Sequence, residues 1–211
     1  MRWHTRTAEV PYYPRLMNES HWDTVHSTKG TDVSWWQSAD QLWIDLVDDL
    51  GLDPTAPVVD VGSGSSLFVD ALIDDGFQDV TAVDVSSAAL DSMRARLGDR
   101  ARYVVSDVRD FRSATPVALW HDRAVFHFLV DSADQQVYAG NLRASLADDG
   151  QAIIATFAPD GPESCSGLPV ARWSANELAE VLGLTLVRQD RRIHTTPWGT
   201  TQPFTIAVLQ P

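Results

Sequence analysis

The sequence predicts an α/β fold: a mixed sheet of seven strands, six parallel and one antiparallel near the C-terminus, with helices on both faces. Three observations lead to it. Short β-branched or apolar runs alternate with segments of helical period through the middle of the chain, the pattern of a parallel sheet covered on both sides. One of those runs turns into a helix through two closely spaced glycines, Gly62 and Gly64, as in folds that hold ligands at strand tips. Near the end, two strand-like runs, Leu184 to Ile193 and Phe204 to Leu209, flank the turn-rich residues His194 to Gln202 and form a hairpin that inserts an antiparallel strand.

Taken in order, Met1 to Pro14 show no periodicity and carry Pro11 and Pro14 around two tyrosines, so they read as an irregular arm. Asn18 to Gln37 are rich in aromatics and turn formers, with Trp22, Trp35 and Trp36 as candidate anchors. Ser38 to Gln41 have the form of a capping box, and Leu42, Trp43, Leu46, Val47 and Leu50 then share one helical face until Gly51 and Pro54 end it. Val58, Val59 and Val61 make the first strand, and Leu67, Phe68, Ala71 and Leu72 repeat at helical spacing up to Gly76. A strand ending at Asp84, a helix from Ser87 to Leu97, and strands over Tyr103 to Ser106 and Val117 to His121 follow. Asp131 to Leu146 read as a helix with a second capping box on Ser132 and Gln135, GQAIIATFA (150–158) as the fifth strand, and Ser174 with Glu177 as the cap of one more helix. The expected organisation is a single domain over 1–211, with residues 1–50 preceding a core at 55–211.

Composition sets bounds on function. The chain has 211 residues, 44% hydrophobic and 21% charged, which suits one globular domain. No apolar run approaches a membrane span, and the N-terminus lacks the pattern of a secretory signal, so a cytoplasmic location is expected. The single Cys165 excludes an internal disulfide framework. A net charge of −13 with no basic stripe argues against nucleic acid partners. The six histidines show no paired ligand spacing, so no metal is expected, and no G-x-S-x-G elbow supports a serine hydrolase.

The strand, glycine turn and helix start at 57–76 make a nucleotide-type cradle, because unpaired backbone N–H groups there point toward a ligand. A dinucleotide fingerprint starting at Gly62 needs glycine where this chain has Leu67, which disfavours NAD. Asp60, two residues before Gly62, would repel a diphosphate but suits a ligand with an ammonium group, as in S-adenosylmethionine. Asp84 lies at the spacing from which an acidic side chain accepts hydrogen bonds from ribose hydroxyls. A third strand tip carries Ser106, Asp107 and Val108, suited to an adenine edge and face.

On these residues the chain resembles the class I S-adenosylmethionine-dependent methyltransferases, whose fold is Rossmann-like, from Asn18 to the C-terminus. The resemblance implies that Asp60, Gly62 and Gly64 hold the methionine part, Asp84 the ribose and Asp107 the adenine amino group. Ser63, Val85 and His121 complete the expected cofactor contacts. Ser65 departs from the family, many members of which have a third glycine there. The segment around Trp22 and Trp36 is similar to the cover that closes over the cofactor in thiopurine methyltransferases and in lysine methyltransferases of elongation factors, and Trp36 is the expected ligand contact.

Acceptor chemistry belongs after the fourth and fifth strands, where ALWHDRAVFHFLVD (118–131) and FAPDGPESCSGLP (157–169) lie. Thiopurine methyltransferases carry a similar Trp-Asp-Arg run, which points to Arg123 beside the acceptor. Asp122 is expected to shape the pocket and orient Arg123, and His127 to take a proton. The bland readings are an Asp122–Arg123 ion pair, helix packing for His127 and Phe128, and an inert Cys165. The expected function is methyl transfer to a heteroatom of a small molecule. Protein lysine N-methylation and a regulatory binder without transfer are the alternatives.

Overall fold

The computed structural model describes residues 19–29, 33 and 41–211. Two helices come first, α1 (Glu19–Lys29) and α2 (Gln41–Leu50). The core follows as β1 (Val58–Val61), α3 (Phe68–Asp74), β2 (Val80–Asp84), α4 (Ser87–Leu97), β3 (Arg102–Val105), β4 (Val117–Arg123), α5 (Ser132–Ser145) and β5 (Leu146–Phe157). A two-residue ribbon, β6 (Ser164–Cys165) with β7 (Leu168–Pro169), precedes α6 (Ala175–Leu182), β8 (Thr185–Thr195) and β9 (Thr201–Gln210). Trp36 and the Ser38 capping box lie outside the described residues.

The seven-stranded sheet has the order β3-β2-β1-β4-β5-β9-β8. Pairs from β3 through β5 are parallel, and β9 is antiparallel to both β5 and β8. This is the Rossmann-like mixed sheet expected, with one strand reversed. Every residue of β1 and β2 is buried, as strands covered on both faces require. On one face, Trp43, Leu46 and Val47 of α2, Phe68 and Leu72 of α3, and Leu90 and Met93 of α4 pack on Val58, Leu119 and Ile153. On the other, Tyr138 and Leu142 of α5 and Leu178 and Leu182 of α6 pack on Val59, Trp120 and Ile154. At about 25 cal/mol per Å² of apolar surface removed from water, these two layers dominate the stabilisation.

Local chemistry places the helix ends. The Ser174 hydroxyl accepts from Glu177 N while the Glu177 carboxylate accepts from Ser174 N, the capping box read from the sequence, and Gly183 closes α6 at φ +64°. The box expected on Ser132 and Gln135 is corrected: Asp131 caps α5 by accepting from Ala133 N, and the Gln135 amide donates to Leu129 O. Asp131 competes better because a carboxylate also complements the positive end of the helix. β5 starts at Leu146, directly after α5 and ahead of the expected Gly150, with a register shift opposite Val117 and Leu119. β4 continues past His121 to Arg123, which decides where its last side chains point.

Candidate active site

The chain builds β1, β2 and β3 outward in one direction, then returns to lay β4 against the other edge of β1. At that reversal, beyond the carboxyl ends of the parallel strands, a cleft opens.

One end of the cleft is polar. Gly62 and Gly64 adopt φ of +64° and +53°. Between them Ser63 donates its N–H to Val83 O at 3.1 Å and its hydroxyl to Asp60 O at 2.7 Å, tying the turn to β2 and β1. A Cβ on Gly62 would fall 1.9 Å from Val125 Cγ2, and one on Gly64 3.0 Å from His26 Cε1. Both glycines therefore admit other parts of the protein, the loop after β4 and helix α1. Asp84 Oδ2 accepts from Gly64 N and Oδ1 from Ser86 N, each at 2.8 Å. Burial pushes its carboxyl up to about 6, against the pull of those two N–H groups. Each carboxylate oxygen can accept a further hydrogen bond, and Asp84 lines the cleft. Asp107 Oδ1 accepts from Arg109 N at 2.8 Å and Nε at 2.9 Å, while Arg109 Nη1 donates to Asp134 Oδ2 at 2.7 Å. Val85, Ser106 and Val108 complete this end.

Helix α1 lies across the polar end. Asp23 Oδ1 accepts from the Ser86 hydroxyl at 2.6 Å and from Ala88 N at 3.2 Å, and Ser86 Oγ accepts from Ala89 N. The N-terminus of α4 thus has a shared cap, one half supplied from α1. Trp22 reaches further along the cleft and meets Phe128 edge-on, with ring centroids 5.3 Å apart.

The other end is aromatic. Directly after β4, Ala124 adopts φ +67°, and residues 126–128 make a 3-10 turn that puts His127 and Phe128 on the cleft wall. Antiparallel pairing sets Phe157, at the end of β5, opposite Phe204, at the start of β9, with centroids 4.9 Å apart. Val33, Cys165, Arg123 and Gln202 close the same end. His127 is fully buried, neither ring nitrogen has a hydrogen-bond partner, and burial lowers its pKa to about 3. The imidazole is neutral at pH 7.

Residues 58–150 match the family model described as a methyltransferase domain. Over 111 residues the chain is 32% identical to Nodulation protein S of Rhizobium tropici, an alignment covering 52% of this chain and 46% of that protein, so it spans less than half the length of this curated relative. Among solved structures, the 1,6-didemethyltoxoflavin-N1-methyltransferase of Burkholderia thailandensis, with 1,6-didemethyltoxoflavin and S-adenosylhomocysteine bound, superimposes with a TM-score of 0.64 at 22% identity, covering 88% of this chain and 80% of that one. A SAM-dependent methyltransferase from Anabaena variabilis gives a TM-score of 0.71 at 16% identity, over 91% and 92% of the two chains. Residues 58–150 are thus similar to a methyltransferase domain, and the fold of the chain is that of these solved methyltransferase structures.

The structure gathers Gly62, Ser63, Gly64, Asp84, Val85, Ser106, Asp107 and Val108 at the polar end, and Arg123 with His127 at the aromatic end. Three residues lie elsewhere. Asp60 and His121 pair across neighbouring strands, Asp60 Oδ1 to His121 Nδ1 at 2.6 Å, and the His121 ring stacks on Phe68 with Trp43 edge-on. Neither is among the residues that line the cleft, and Asp60 O accepts the Ser63 hydroxyl of the glycine turn. Asp122 alternates to the opposite face from His121 and Arg123 because it lies within the strand. Its carboxylate accepts from Val125 N at 2.9 Å, Phe126 N at 3.1 Å and the Tyr138 hydroxyl at 2.6 Å. It holds the loop that carries His127 and does not orient Arg123. Val125, Phe157 and Phe204 were missed as site residues, although their positions beside predicted strand ends carried the signal.

Proposed function

We propose that this protein transfers the methyl group of S-adenosylmethionine to a heteroatom of a small-molecule acceptor. The observation that carries this reading is the pairing, in one cleft at the β1/β4 reversal, of a polar end fitted to a nucleoside with an aromatic end enclosed by β4, β5, β9 and α1. Asp84, with an open lone pair on each oxygen, would take the ribose hydroxyls, and Ser106, Asp107 and Val108 the adenine. No lysine or arginine lines the polar end among the described residues, which opposes a diphosphate ligand such as NAD.

When bound, the sulfonium supplies a methyl activated enough that an aligned acceptor lone pair suffices. The chain's own contribution is then to bind, orient and exclude water. Val125, pressed on Gly62, fixes the wall between the two ends, and Asp122 holds that loop in place. Phe128, Phe157 and Phe204 remove water from the acceptor end, and Arg123 steers polar or anionic acceptors toward it. The aromatic end has no carboxylate among its described lining residues and does have Arg123, which weighs against a lysine ammonium as acceptor.

A single domain in the cytoplasm, with no nucleic acid partner, belongs to the same proposal. The net charge of −13 supports the last part, since such a surface repels phosphates. No described helix is long and apolar enough to cross a membrane. Calorimetry with S-adenosylhomocysteine and with NAD tests the cofactor, and labelled S-adenosylmethionine offered with the small-molecule or protein fraction of an extract tests the acceptor. Binding of S-adenosylhomocysteine with label entering small molecules is expected. Label in protein would favour lysine methylation, and binding without transfer a regulator.

A further inference from the structure

The aromatic end of the cleft contains one feature that enclosure alone does not explain. His127 is fully buried, and both of its ring nitrogens lack a hydrogen-bond partner while the residue lines the cleft. A buried polar group is normally paired, because leaving it unpaired forfeits its hydration with nothing in return. His121 differs in degree: its Nδ1 meets Asp60 and only its Nε2 is unpaired, and the residue is not among those lining the cleft. The ring of His127 is held by Phe128 at 4.4 Å edge-on and by Phe157 at 4.8 Å. Phe204 extends that wall from Phe157, and Trp22 extends it from Phe128. Two aromatic rings thus hold one polar group, and two more extend the wall that they form.

Resting on the S-adenosylmethionine reading above, we propose that this end takes a planar aromatic or heteroaromatic acceptor whose protic heteroatom, the one to be methylated, hydrogen-bonds to the ring of His127. Flat rings match walls that stack or meet edge-on, where flexible aliphatic chains would lose more freedom for less contact. The acidic side chains on the described cleft wall, Asp84 and Asp107, are both at the polar end, so an ammonium acceptor would enter with no carboxylate to meet it. A neutral imidazole presents one N–H donor and one nitrogen acceptor, matching an O–H, N–H or S–H beside a ring heteroatom. The low pKa that burial imposes on His127 keeps it in that form.

The test uses the full chain saturated with S-adenosylhomocysteine and three probes: 2-naphthol, 2-methylnaphthalene of the same shape without the hydroxyl, and Nα-acetyl-lysine amide. Binding is read by tryptophan fluorescence, since Trp22 is part of the wall. The wild type should prefer 2-naphthol to 2-methylnaphthalene by about tenfold or more, as a site built around a hydrogen bond rejects the analogue that lacks it. In His127→Phe the preference should fall to about twofold or less with aromatic binding retained, and His127→Asn should recover part of it. His127→Leu serves if His127→Phe does not fold, judged by S-adenosylhomocysteine affinity. Equal binding of the two naphthalenes by the wild type, a preference unchanged in the variants, or tighter binding of the lysine amide would each overturn the proposal. Those results with S-adenosylhomocysteine still bound leave the methyltransferase reading intact, whereas loss of S-adenosylhomocysteine binding by the wild type removes that reading itself.

Discussion

The two ends of the cleft are built on opposite plans. At the polar end protein groups fix the carboxylates in place: Asp84 is held by Gly64 N and Ser86 N, and Asp107 by Arg109. At the aromatic end the polar group is left without a partner, and rings rather than hydrogen bonds hold it. The difference teaches where rigidity comes from. A nucleoside of fixed chemistry can be met by preset acceptors, while the acceptor end keeps its hydrogen-bonding capacity for whatever it receives.

The sharpest way to break the comparison is at its hinge, Gly62, which both ends share. Gly62→Ala puts a methyl 1.9 Å from Val125 Cγ2 in a left-handed conformation, and should cost about 3 kcal/mol of stability and disturb both ends. Gly64→Ala meets only the tip of His26 at 3.0 Å and should cost about 1–2 kcal/mol. Thermal melts of the two variants measure the difference, and equal losses would show that Val125 is not the constraint.

The polar end alone is tested by Asp84→Ala, expected to weaken S-adenosylhomocysteine binding by about 1–3 kcal/mol because ligand hydroxyls lose their acceptors. In the wild type that affinity should decline as pH falls through about 6, where Asp84 takes up a proton and loses acceptor capacity. A flat calorimetric profile from pH 5 to 8 would remove Asp84 from the ribose.

The aromatic end titrates in the other sense. His127 is depressed from 6.5 to about 3, so the unfolded chain binds its proton first and the wild type loses stability as pH drops below 6.5. His127→Leu escapes that penalty, and its stability relative to wild type should be about 2 kcal/mol more favourable at pH 5 than at pH 8. Denaturant titrations at both pH values check the sign.

The smallest effect is expected at α1. Asp23→Ala removes half of the cap on α4 and should cost about 1 kcal/mol, with faster proteolysis within Glu19–Lys29. S-adenosylhomocysteine should slow that cleavage in the wild type. Identical rates with and without it would make α1 a permanent layer.

The polar end was legible in the sequence because its residues follow one another on three successive strand tips, and fixed spacing carries the geometry. The aromatic end was less so. Ending β4 at His121 put Asp122 in a loop, whereas two more strand residues turn it to the far face against Tyr138. Asp60 carried the right charge in the right place, but its partner His121 lies on a neighbouring strand, and register is not written in either segment alone. Phe157 and Phe204 meet only because β9 runs antiparallel to β5, a pairing across a long stretch of chain.

That pairing has a consequence for the order of assembly. The polar end comes from one continuous stretch between β1 and the tip of β3, so most of its contacts are local. The aromatic end needs Phe204 beside Phe157, and Phe204 is separated from Gly62 by more than half of the 211-residue chain. Contacts of such separation form late, after loop closure over the intervening helices. A newly made chain is therefore expected to acquire the nucleoside half of its cleft first, with the docking of β9 closing it, an order that pulsed hydrogen exchange during refolding checks.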